Sequence, residues 1–281
     1  MREFDVRELT DAVSEMVQDV NYHYPADVKL CLDEAYEKET SRIGKETLSY
    51  LKSNARIAKE KHIPICQDTG MVVVYLTVGQ DVHFTHGLVN EAIQEGVRQG
   101  YEKGYLRKSM VEEPLFERKN TKDNTPCMIY TSITAGEQVV LEVTCKGAGS
   151  ENMSIIEMLK PAQGVEGVKQ TVLNAVKKAG PNACPPMVIG VGLGGSFDYA
   201  AYLAKKATVR SCDSEHSDPR YAKLERELLD EINQLNIGPQ GLKGDTTALK
   251  VNIETHATHI ACLPCAVNIS CHITRHARRE F

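Results

Sequence analysis

No apolar run in this sequence of 281 residues approaches the ~20 consecutive residues that a bilayer-spanning helix needs, so no membrane span is expected. Nor is there a basic excess. The formal net charge is −5 and the lysines and arginines are scattered, which argues against nucleic acid or an anionic membrane surface as a partner. The densest basic cluster, Arg275-His276-Ala277-Arg278-Arg279, reads as a solvated tail. The opening MREFDVRELTD is charged throughout and does not read as a secretory signal, so the expected location is the cytoplasm. An internal repeat, a low-complexity tract and a flexible linker are missing too, which leaves a single domain over residues 1–281.

What the chain does have is cysteine. There are nine: Cys31, Cys66, Cys127, Cys145, Cys184, Cys212, Cys262, Cys265 and Cys271. In a reducing compartment they do not form a disulfide framework, and most read as small buried hydrophobes. The question is which of them act as thiolate ligands.

The hydrophobic pattern is helical over 6–22 and, in two pieces meeting near Ser41-Arg42-Ile43-Gly44, over 27–60, so the N-terminal part of about 60 residues is helical. MVVVYLTVG is β-branched and predicts a buried strand. Residues 86–103 return to helix, and YLRKSMVEEPLFERKNTKDNTP predicts a long ordered loop, a length that usually marks function or disorder. CMIYTSIT-AGE-QVVLEVTC predicts a β-hairpin around a Gly-containing turn. Helices are expected over 164–179, 197–207 and 218–236, and strands after the glycine-rich GPQGLKGD. Strands and helices alternate without regular βαβ units, which predicts a mixed α/β, helix-rich fold with mixed β-sheets.

Three features could carry chemistry. GVGLGGS fits G-x-G-x-x-G through Gly190, Gly192 and Gly195, a turn that can aim backbone N–H groups at a dinucleotide's pyrophosphate. Its other reading is a glycine run that lets a helix pack closely on a sheet. CLPC, with Cys262 and Cys265, could be a redox pair, a zinc site completed by His256, His259 or His272, or two buried cysteines around a proline in a strand-like run. The third feature is a set of separated cysteines in unusual company. Cys66 stands in IPICQDTG, Cys184 in GPNACPP and Cys271 in VNISCH, 118 and 87 residues apart. Loops fixed by glycine and proline present a thiolate and let backbone N–H groups donate to cluster sulfurs. Three thiolates on a cubane would leave one iron open as a Lewis acid.

Taken with KGAGSENMS, GVGLGGSFDYAAYLAKKA and THATHIACLPCAVNISCH, these stretches resemble the α subunit of the two-subunit class I fumarate hydratases and their relatives, the L(+)-tartrate dehydratases. The resemblance runs in order over roughly residues 8 to 276. It implies an iron–sulfur hydro-lyase fold and a [4Fe–4S] cluster on Cys66, Cys184 and Cys271, with one iron not bound by cysteine. It implies that Gln67 and Asp68 lie beside the substrate, Asp68 helping in proton transfer. The alternative for Asp68 is a turn-forming Asx side chain. Arg107, in YLRKS, matches a carboxylate-binding arginine, a role suited to a planar fork of donors. The backbone around Ala148 and Gly149 matches the pocket lining, and His259, twelve residues before Cys271, matches a histidine at the substrate. Where the family often has Lys-Gly-Gly-Gly-Ser, this chain has Ala148, which fits if no positive φ is needed there. Cys262 and Cys265 do not match cluster ligands.

The resemblance further implies reversible hydration of fumarate to L-malate, or dehydration of L(+)-tartrate to oxaloacetate. It implies a separate β subunit that completes the site for a small dicarboxylate, in a heterotetramer or larger assembly. The expected behaviour is that of an oxygen-sensitive enzyme, because an iron without a thiolate is the first to be lost.

Overall fold

The MVVVYLTVG run becomes β2, a central strand buried along almost its whole length. The computed structural model describes all 281 residues. In chain order the first elements are β1 (Arg2–Asp5), α1 (Arg7–Tyr22), α2 (Ala26–Lys38), α3 (Arg42–Lys61), β2 (Met71–Gly79), β3 (Val82–Thr85), α4 (Val89–Lys103), β4 (Met128–Thr134) and β5 (Val139–Lys146). There follow α5 (Ala148–Glu151), β6 (Ile155–Leu159), α6 (Gly164–Ala179), β7 (Met187–Gly195), α7 (Phe197–Ala207), α8 (Pro219–Asn233), β8 (Ala248–Thr258), β9 (Leu263–Ser270) and β10 (His276–Glu280). The fold is mixed α/β, as the pattern predicts. No helix is long and apolar enough to cross a membrane.

The contacts resolve two compact units, each discontinuous in sequence: residues 1–25, 55–147 and 275–281 in the first, residues 26–54 and 148–274 in the second. No linear cut of the chain separates them, which is why composition alone reads as a single domain.

The first unit holds a sheet ordered β10-β5-β2-β4. Side chains alternate along a strand, so Val72, Val74, Leu76 and Val78 of β2 join Leu141 and Val143 of β5 on one face. That face packs on Leu9, Val13, Met16 and Val17 of α1 and Ile93, Val97 and Tyr101 of α4. The expected hairpin is not formed. β4 pairs parallel with β2, and β5 pairs antiparallel with the other edge of β2. The turn at Gly136 passes over the end of β2, where Gly79 N–H donates to Gln138 O at 2.7 Å. The most apolar strand takes the centre, and the exposed β4 takes an edge.

The second unit holds a sheet ordered β6-β9-β7-β8. Ile189, Val191 and Leu193 of β7 face Val172 and Val176 of α6 and Leu228 and Ile232 of α8. The alternate residues Gly190 and Gly192 face α7, where a Cβ would overlap the carbonyls of Ala204 and Ala200. The same glycines that fit a nucleotide fingerprint therefore lie inside a strand, and the backbone of α7 fills the space a pyrophosphate would need. This is the close-packing reading of GVGLGGS, and the dinucleotide reading falls.

The C-terminal basic cluster is also not a solvated tail. His276–Glu280 forms β10, antiparallel to β5, and Arg275 is only 2% exposed.

Candidate active site

In the first unit the stretch Cys66-Gln67-Asp68-Thr69-Gly70 leads into β2 as a loop without regular structure. Its backbone is held by buried side chains from distant positions. Arg275 donates to Asp68 O at 2.7 Å and to Cys145 O at 3.2 Å. The Tyr101 hydroxyl is within hydrogen-bond distance of Thr69 O at 2.8 Å and Gly70 O at 2.9 Å, and Asn124 Nδ2 donates to Gly70 O at 3.2 Å. Gly70 has a φ of +80°, and a Cβ there would lie within 2.8 Å of the Lys146 backbone.

The anchored loop brings several expected residues together. Thr69 Oγ1 donates to Arg107 O at 2.9 Å, so the exposed Arg107 is fixed at its backbone beside the loop. Asp68 N–H donates to Cys66 Sγ at 3.4 Å, the kind of amide contact that stabilises a thiolate or cluster-bound sulfur. The Cys66 thiol points its hydrogen to Gln67 Oε1 at 3.4 Å. Gly70 N–H donates to Asp68 Oδ1 at 2.9 Å. Asp68 is thus a turn-forming side chain through one oxygen, and that bond fixes its orientation.

In the second unit Cys184 leads into β7 and Cys271 follows β9. They are 87 residues apart in sequence. The strand register sets them side by side, because Val188 pairs with Ser270, and His272 N–H donates to Cys184 O at 3.2 Å. Cys184 is exposed and has φ 51° and ψ 63°, a left-handed conformation that costs a non-glycine residue about 1–3 kcal/mol. Such strain persists only where the surroundings impose it, here a glycine, three prolines and Gln240, whose N–H donates to Pro185 O at 2.8 Å. Ala148 and Gly149 start α5, which packs on the 180–183 turn before Cys184; an added Cβ on Gly149 would lie 3.8 Å from Asn182 O. Ala148 has no positive φ, so alanine serves as well as the family's glycine. Asn268 Nδ2 donates to Glu151 Oε2 at 2.9 Å and so ties α5 to β9, three residues before Cys271.

The structure does not bring His259 to this end of the sheet. His259 follows Thr258, which pairs with Gly195 at the far end of β7 from Cys184. Eight residues of strand at about 3.3 Å each put roughly 26 Å between the two ends. His259 is exposed in the β8–β9 turn, where its Nδ1 accepts from Ala261 N–H at 3.2 Å and its carbonyl accepts from Cys262 N–H at 2.8 Å.

Three of the other cysteines are deeply buried. Burial pushes the Cys127 and Cys265 thiols up to about 12 and Cys145 up to about 11. These thiols stay protonated and are poor ligands at neutral pH. Cys265 lies in β9 and Cys262 in the preceding turn, and no three His, Cys, Asp or Glu side chains converge as ligands for a single metal ion. The zinc reading of CLPC therefore falls, and the burial-raised Cys265 thiol favours the packing reading over a redox pair. A cubane is a different test, because its cysteines bind separate irons and need no single point of convergence. Cys66 in the first unit, and Cys184 and Cys271 in the second, are exposed or half-exposed thiols at strand ends, the chemistry that a cluster's sulfur ligands need.

Arg275, Tyr101 and Asn124 are the anchors that sequence reasoning missed. The one available signal was the arginine immediately ahead of the His276–Glu280 strand, at a place where a solvated tail needs no buried cation.

Comparison with known sequences identifies the family. The profile of the fumarate hydratase (Fumerase) family matches residues 10–280. A chain of Methanocaldococcus jannaschii, provisionally named L(+)-tartrate dehydratase subunit alpha, is 42% identical over 279 residues, 97% of either chain. The L(+)-tartrate dehydratase alpha subunits of Escherichia coli and Shigella boydii are each 32% identical over 270 residues, covering 95% of this chain and 88% of theirs. A profile match over nearly the whole length, with these identities, places the chain in the fumarate hydratase family of hydro-lyases.

Proposed function

We propose that this chain is the α subunit of a two-subunit [4Fe–4S] hydro-lyase that reversibly hydrates fumarate to L-malate. Cys66, Cys184 and Cys271 would hold the cluster. The observation that carries the reading is the setting of Cys66 and Cys184: Asp68 N–H donates to Cys66 Sγ, and Cys184 is exposed in a forced left-handed conformation with half-buried Cys271 beside it, while Cys127, Cys145 and Cys265 are buried thiols. When bound, the cluster supplies a Lewis-acidic iron that polarises the substrate hydroxyl and one carboxylate.

The chain's own residues supply the rest. Arg107 binds a carboxylate with two parallel hydrogen bonds, and that charge pair matters most as negative charge grows on the carboxylate during loss of the C3 proton. Gln67 orients the substrate through its amide. Asp68, its Oδ1 held by Gly70 N–H, moves the proton at C3. The amides at Ala148 and Gly149 line the pocket. His259, matched by the family pattern, would have to act from outside the Cys184–Cys271 end of its own sheet.

The names of the relatives as alpha subunits support a separate β subunit that completes the site. The same names favour L(+)-tartrate as the second reading for the substrate. Tartrate has one hydroxyl more than malate, and a buried polar group that pairs with it discriminates by several orders of magnitude. The test is the kcat/KM for L-malate, fumarate and L(+)-tartrate, measured anaerobically on the chain co-expressed with its β partner. Turnover of malate and fumarate well above that of tartrate supports the first reading. The reverse order establishes the second. Full activity of the isolated chain would remove the β subunit from the account.

A further inference from the structure

Two cysteines take no part in the site described above and yet touch each other. Cys31 lies on α2, one turn after Asp27. Asp27 Oδ2 accepts from Cys212 N–H at 2.7 Å and so draws the segment after α7 onto the first turn of α2. Cys31 follows Asp27 by four residues on the same face of α2, so this hydrogen bond brings the two thiols together, and each is the main influence on the other's proton affinity. Their access differs. Cys212 is buried, while Cys31 is half-buried and lines a cavity of about 260 Å³ with Glu34, Lys38, Asn233 and Asp245.

We propose that Cys31 and Cys212 form a thiol–disulfide modification site, entered through Cys31 by a low-molecular-weight disulfide from the adjoining cavity. The Cys31 thiolate attacks one sulfur of the small disulfide, forms a mixed disulfide and releases one thiolate. Cys212 then gives its proton to the departing group and attacks Cys31 Sγ, releasing the second small thiol. In sum, two protein thiols are oxidised to one disulfide and one small disulfide is reduced to two thiols. The division of labour follows the environment. The Cys212 thiol lowers the Cys31 thiol, helped slightly by Lys250, against burial and the Glu34 and Asp27 carboxylates, which oppose it. The same pairing, with burial and Asp27, raises Cys212 and keeps its proton on until the mixed disulfide forms. The product would tie the start of α2 to the segment around Cys212.

The test uses the full chain, reduced under argon, exposed to glutathione disulfide, quenched with iodoacetamide and digested without reductant for mass spectrometry. The proposal expects a Cys31–Cys212 linked peptide pair that disappears with dithiothreitol. It expects Cys31 to react faster than buried Cys145 by about tenfold or more. In Cys212→Ser a glutathione adduct should accumulate on Cys31. A wild-type map in which Cys31 keeps glutathione without resolving, links to another cysteine, or stays free alongside Cys212 overturns the proposal. The wild-type map decides the matter even if the variant fails to fold.

Discussion

The sheets of the two units share one topology, yet they present their cysteines by different means. In each, a central strand has a parallel neighbour on one side and an antiparallel neighbour on the other, and a fourth strand pairs antiparallel with the latter. Each central strand is entered through a cysteine loop, Cys66 before β2 and Cys184 before β7. Each such loop lies beside the exit of the antiparallel strand, at Lys146 in one unit and Ser270 in the other. In the first unit buried side chains hold the loop: Arg275, Tyr101 and Asn124. In the second the restraint is mainly conformational, through glycine, proline and the left-handed Cys184, with Gln240 donating to Pro185 O from both its backbone N–H and its side-chain Nε2. One topology thus delivers thiols to strand ends twice, once by side-chain anchors and once by conformational restraint.

The largest effect that could break this comparison is loss of the metal centre. Cys66→Ser, Cys184→Ser and Cys271→Ser should each reduce bound iron and hydro-lyase activity to background, whereas Cys262→Ser and Cys265→Ser should retain both, as measured by iron assay and turnover. Next is Arg275→Ala. It would leave Asp68 O and Cys145 O buried without their partner, a penalty of about 1–3 kcal/mol for each carbonyl, seen as a lower denaturant midpoint together with lost activity. In the second unit the nearest counterpart, Gln240→Ala, removes one donor to Pro185 O and leaves the backbone N–H in place, so its effect should be smaller.

Smaller effects sharpen the account. Gly192→Ala should destabilise by about 1–3 kcal/mol, because its Cβ meets the Ala200 carbonyl, and wild-type protein should show no NADH binding by fluorescence titration. Ala148→Gly should leave turnover within about twofold and cost about 0.5–1 kcal/mol in thermal unfolding, because α5 has helical backbone. The buried thiols give the weakest signal. Burial raises Cys127, Cys145 and Cys265 above the ordinary thiol value of about 9, so above that pH the unfolded chain has fewer bound protons than the folded one. Their contribution is complete below pH ~9 and fades as pH rises towards 12, which a series of melting curves would register.

Much of this was legible in the sequence, and the parts that were not share a cause. The helical periods of α1 to α3 and the β-branched β2 come from local spacing, and the structure reproduces them. The cysteine loops were visible because glycine and proline act locally. The failures are non-local. Arg275 and Asp68 are 207 residues apart, and no local pattern announces that an arginine near the end of the chain caps a loop before β2. The false hairpin arose because β4 and β5 are neighbours in sequence, while the demand of β2 for burial drew it between them. GVGLGGS matched a nucleotide turn because close packing of α7 asks for the same residue type as close approach of a phosphate. The shared topology escaped notice because one unit fills its central strand with valine and the other alternates glycine with aliphatic residues. Where His259 falls along its sheet is a matter of strand direction, which periodicity does not report.

The measurement that tests the central claim most directly is anaerobic iron and acid-labile sulfide content, taken on the co-expressed pair for wild type and for Cys66→Ser, Cys184→Ser and Cys271→Ser, alongside malate and tartrate turnover. The account predicts about four irons and four sulfides per α chain in the wild type, and loss of both with turnover in each variant. A wild-type protein that turns over either substrate without iron, or a variant that keeps a full cluster, would contradict it.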